Sequence, residues 1–115
     1  MITAADIELR WPELLQKLAS KLGDNSSLND VLLFIGIRES GLPPKQFSEK
    51  EKAELMQMAT CTILVPARYY ELMWVEDTGW PHYKQLQRLP QMNDEEKEKL
   101  FKQFILMYAE KNRLI

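Results

Sequence analysis

The sequence predicts an all-α domain, a single compact bundle of about five helices covering residues 1–115, on three observations. Helix-start signatures recur: Thr3 ahead of Asp6, Ser27 ahead of Asp30, Ser48 ahead of Glu51, and Asn93 ahead of Asp94, Glu95 and Glu96. The first and last of these segments carry apolar residues at spacings of three and four, one stripe each. The two middle segments are apolar on nearly every side, which predicts burial on every side and other helices around them.

The first helix is expected from Ala4 to Leu22. Ile7, Trp11, Leu14, Leu15, Leu18 and Leu22 share a face whose phase continues across Pro12, so one helix kinked at Pro12 is preferred to a helix beginning with Pro12. Gly23 is its expected C-cap. The second helix starts after Ser27 and carries Val31 to Phe34, Ile35 and Ile37, with Gly36 predicting a close approach of another backbone. Gly41 ends it, and Leu42, Pro43, Pro44 and Lys45 make a stiff connection. The third, from Ser48 to Pro66, is the expected centre of the bundle. From Met58 to Val65 it carries no charge, and Pro66 would clash with the carbonyl of Thr62.

Beyond Pro66 the chain is aromatic and irregular. The fourth, short helix is placed from Pro81 to about Leu89, after a polar turn at Glu76 to Gly79. The competing reading is a β-hairpin at 70–85, because Asp77, Thr78 and Gly79 are good turn residues; Pro81 and poor alternation count against it. Leu100, Phe101, Phe104, Ile105 and Tyr108 form the stripe of a last helix ending near Asn112.

Composition excludes several function classes. Fifteen basic and seventeen acidic side chains give a net charge of −2, so no global field draws the chain to nucleic acid or anionic lipid. Val31 to Ile37 and Met58 to Val65 fall far short of the ~20 apolar residues that span a bilayer. Met1 to Arg10 contain Asp6 and Glu8 and no apolar run, so no secretory signal is read there. With one cysteine, Cys61, in an apolar turn, a cytoplasmic, reducing setting and an inert buried thiol are expected.

Motifs for chemistry fail where the chemistry would be. Gly36 and Gly41 have half the spacing of a phosphate loop, but Leu42 and Pro43 stand in place of the lysine and hydroxyl. One histidine and one cysteine cannot build a conventional zinc site, and Gly79, three before His82, breaks the Glu-x-x-His of a di-iron bundle. The acids Asp94 to Glu96 and Glu98 read as a helix start matched to its dipole. No cofactor and no metal are therefore expected.

The stretch Trp74 to Tyr83 stands apart, with Trp74, Asp77, Trp80, His82 and Tyr83 gathered around a turn and Arg68 nearby. Rings with polar edges suit binding surfaces as well as domain rims, and His82 beside Asp77 or Tyr83 has the parts of an acid or base. Tyr69, Tyr70 and the tryptophans alternating with Arg68, His82, Lys84 and Arg88 are also the ingredients of a single-strand nucleic-acid platform, diluted by Glu71, Glu76 and Asp77. The acidic turn with Gly79, Trp80, Pro81, His82 and Tyr83, after the two-helix region containing Val31 to Ile37 and Phe47 to Glu54, resembles a group of short uncharacterised bacterial proteins over Leu28 to Tyr108. That resemblance implies a compact bacterial cytosolic domain and carries over no site.

The function expected is a non-enzymatic interaction or accessory module using the connector 74–83, with another protein or a second copy as partner and no membrane. The alternatives are a small-ligand site or enzyme with a pocket at His82, and single-strand nucleic-acid binding.

Overall fold

The computed structural model describes residues 3–43 and 45–115; within the stiff connection expected at 42–45, Pro44 lies outside the described residues. The elements in chain order are α1 (Ala4–Leu22), α2 (Leu28–Ser40), α3 (Glu49–Ile63), β1 (Tyr70–Val75), β2 (Pro81–Gln85) and α4 (Asp94–Lys111). The five-helix, all-α expectation is therefore overturned. Among the described residues four helices accompany a two-stranded antiparallel sheet, and the segment read as a short helix from Pro81 is a strand, as in the competing hairpin reading.

Two local facts explain the difference. Glu76 N–H donates to the Trp80 carbonyl at 2.9 Å, so the next pair, Val75 with Pro81, is one that exchanges no ladder bonds. Pro81, at the first position of its strand, gives up nothing by lacking an amide hydrogen. The register also slips between Leu72 and Trp74, leaving Met73 as an extra residue, and this bulge hides the period-two alternation.

Contacts gather the chain into two compact units, one running up to Leu28 and joined by Pro90–Ile115, the other Asn29–Leu89. In the first, α1 packs against α4. Thr3 accepts from the Asp6 amide and Asp6 bonds back to Thr3, and the helix continues through Pro12, whose ring is exposed. Trp11, Leu14 and Leu18 are buried on α1, as are Phe101, Ile105, Leu106, Tyr108 and Ala109 on α4. Arg10 pairs with Glu110, and the Lys102 ammonium lies 5.3 Å over the Trp11 ring.

In the second unit α2 and α3 meet at Gly36. A β-carbon there would collide with the carbonyl oxygen of Leu55, so only glycine allows the two backbones this close. Val31, Leu32, Ile35, Gly36 and Ser40 are buried along one face of α2, whereas Leu33, Phe34 and Ile37 stay partly exposed. Burial on every side, expected of this helix, is thus confined to one face. On α3, Leu55, Met58, Ala59, Cys61 and Ile63 are buried. This helix ends at Ile63, short of Pro66: Val65 N–H reaches only the Thr62 carbonyl three residues back, and turns follow to Arg68.

Gly36→Ala is expected to destabilise the protein by about 2–3 kcal/mol, because the helices must separate to admit one methyl group. A thermal melt unchanged from wild type would show that the close approach is not there. At the start of α3, hydrogen bonds from the Lys45 ammonium and the Ser48 amide hold the Glu51 carboxylate down to about 2, from an ordinary 4.5. Folding lowers this value, so the cap's contribution is complete above 4.5 and is lost as pH falls toward 2. Amide exchange at Glu51 and Lys52 should speed up across that window, beyond the intrinsic pH dependence, and the extra increase should vanish in Glu51→Gln.

Candidate functional site

The hairpin is built from its turn outward. Gly79 adopts φ +101° and donates its amide to the Glu76 carbonyl at 2.8 Å, closing the three-residue loop Asp77, Thr78 and Gly79. The loop is held against the end of α2. Gly41, at φ +74°, leaves no room for a β-carbon, which would stand 2.5 Å from the Thr78 carbonyl oxygen. Ser40, fully buried, donates to the Ile37 carbonyl and accepts the Leu42 amide, fixing the path of the chain at that contact.

Strand β2 rests on α3 and carries two differently placed rings. The Tyr83 hydroxyl lies 2.8 Å from Thr62 Oγ1. Since the Thr62 hydroxyl donates its one proton to the Met58 carbonyl at 3.0 Å, Tyr83 is the donor in the first bond. Burial pushes the Tyr83 phenol up, so it stays protonated and keeps donating. His82 stacks on Trp74 across the ladder, ring centroids 4.3 Å apart and planes within 7°. Its Nε2 lies 2.6 Å from Glu76 Oε2, and because an ionised carboxylate only accepts, Nε2 carries the proton. Both members of this pair are half-exposed, so it orients the imidazole and contributes under about 1 kcal/mol. The bulge at Met73 makes the stack possible: without it, Met73 would stand opposite His82.

Beside these residues lies an open, mainly apolar cleft of about 400 Å³. Glu54, Gln57, Met58 and Cys61 line it from α3, and Trp80 to Tyr83 from the hairpin. Cys61 is a buried free thiol. Burial pushes it up from its ordinary value, while hydrogen bonding with the Tyr70 and Gln57 side chains pulls more weakly the other way. A thiol of that kind is a poor nucleophile at neutral pH.

The structure brings together Trp74 and His82, and gathers Trp80, His82 and Tyr83 along the cleft. Asp77, exposed in the turn, does not reach His82; Glu76 takes the place expected of it. Arg68, at φ +63° between α3 and β1, lies at the end of the hairpin away from the turn, its carbonyl accepting from the Gln87 side chain. Missing from the sequence reading were Leu72, Met73 and Val75, which β1 leaves exposed, and the α3 face of the cleft. No motif marks them, because an apolar tetrapeptide looks the same buried or bare. Among the described residues no group of three histidine, cysteine or carboxylate side chains could hold a metal ion, and no helix is long and apolar enough to cross a membrane.

Comparison with known protein families, curated proteins and solved structures finds no match to this chain. A functional reading therefore rests on the chemistry of these side chains.

Iodoacetamide at pH 8 is expected to label Cys61 in the folded protein at least about tenfold more slowly than in denaturant, as burial disfavours the thiolate. Equal rates, followed by mass spectrometry, would show a reactive thiol opening into the cleft.

Proposed function

We propose that this chain is a small non-enzymatic interaction or accessory module that offers its hairpin, the connector 74–83 together with the preceding strand, to a partner protein. The observation that carries this reading is the exposure of four successive large apolar residues on β1: Leu72 at 48%, Met73 and Trp74 at 56%, and Val75 at 51%. Among the described residues the sheet has two strands, so β1 is also an edge with backbone groups left to pair. Bare apolar side chains along an open edge are a hazard for a protein that has nothing to cover them, and are what a docking surface needs. Trp74, held flat by His82, has the rigid ring area that anchors many interfaces.

The cleft beside His82 supports a second reading, a small-molecule site with Gln57, Glu54 and His82 as its polar groups. Ligand pockets bury most of their ligand, and this cleft is open; it suits a side chain of a docking partner better than an enclosed molecule.

The double substitution Leu72→Thr with Trp74→Thr should leave the circular dichroism spectrum unchanged and stability within about 1 kcal/mol, since both side chains are exposed. The same protein, used as bait, should lose the partner that co-purifies with wild type. A folded variant that keeps every partner overturns this reading, and loss on Gln57→Leu alone would favour the cleft.

A further inference from the structure

We propose that the hairpin's partner is an extended segment of another protein that lies along the outer edge of β1 as a third strand, apolar over about four residues and carrying lysine or arginine at both ends. This rests on the preceding reading of the hairpin as a docking surface. The direction of the free backbone groups follows from the ladder. Leu86 N–H donates to the Tyr69 carbonyl and Glu76 N–H to the Trp80 carbonyl, so Tyr69, Glu71 and Glu76 face β2. Tyr70, Leu72 and, past the bulge, Val75 therefore turn their amides and carbonyls outward.

Charge selects the occupant of that edge. From Tyr69 to Gly79 there are three acids, Glu71, Glu76 and Asp77, and no lysine or arginine. Glu76 is engaged by His82, which leaves Glu71 and Asp77, both exposed and in no ion pair among the described residues. They stand at the two ends of the run Leu72 to Val75. Lys84, across the ladder from Glu71, is on the β2 side and does not bracket the edge. A strand along β1 thus meets apolar side chains in the middle and, at either end, an acidic side chain outside any ion pair among the described residues. A second copy of this chain fits less well. Pairing two β1 strands about a two-fold axis centred on Leu72 or Met73 sets Glu71 against Met73 or Val75 of the other copy, and against no cation.

The test uses the isotope-labelled full chain and two blocked peptides, Lys-Val-Thr-Val-Thr-Val-Lys and the same peptide with glutamate in place of both lysines. The lysine peptide is expected to slow amide exchange at Leu72 and Val75 and to bind at least about fivefold more tightly than the glutamate peptide. Glu71→Gln with Asp77→Asn should bring the two peptides to within about twofold. Equal binding by wild type, or protection by neither peptide, overturns the inference. So does protection without peptide that rises with protein concentration, which would identify a second copy as the occupant. If neither peptide protects while Leu72→Thr with Trp74→Thr still abolishes partner capture, the docking surface stands and only its basic partner falls.

Discussion

The Asn29–Leu89 unit depends on a backbone-to-backbone contact between α2 and α3. With no side chain at Gly36, the helices approach until Leu55 occupies the space a β-carbon would need. At the end of α2, Ser40 accepts the Leu42 amide, and Gly41 meets the hairpin loop at Thr78 and Gly79. The hairpin is mounted at a second point by Tyr83 on Thr62. A two-stranded sheet is marginal by itself, and these two attachments help hold it in one place, together with α3 beneath β2 and the hydrogen bond between Tyr70 and Cys61.

Both attachments fall on the turn and on β2, and β1 packs mainly against β2. The division explains the pattern of exposure. Pro81 is buried and Tyr83 half-buried, while every residue of β1 after Tyr70 is exposed. The bulge adds a second asymmetry by turning Trp74 onto the same side as His82, where Glu76 completes the group. In geometry the Glu76–His82 pair sets the imidazole flat against the Trp74 indole.

Much of the helical frame was legible because its signals are local. Thr3, Ser48 and Asn93 cap helices as their spacing from Asp6, Glu51 and Glu96 implies, and the apolar phase of α1 carries it through Pro12. Gly36 was legible as a close approach. The hairpin is masked in the sequence by two features that the ladder explains: Pro81 sits where no amide is required, and the extra residue at Met73 breaks the alternation a strand is recognised by. The candidate site was half legible. Aromatic character drew attention to Trp74, Trp80, His82 and Tyr83, but pairing His82 with Asp77 required knowing the turn, and that turn hands the role to Glu76. The exposed strand was illegible, since nothing in Leu72 to Val75 distinguishes a core strand from an uncovered one.

The irregularity at Met73 has one more effect. A flat, uncharged, β-prone segment on an open border is the kind of template that seeds fibrils, in which identical segments stack in regular register. An inserted residue in the middle of the segment spoils that repeat, and Glu71 on one flank with Glu76 on the other makes like charges fall on like charges in any in-register pile. The exposed border is therefore ill-suited to indefinite self-propagation.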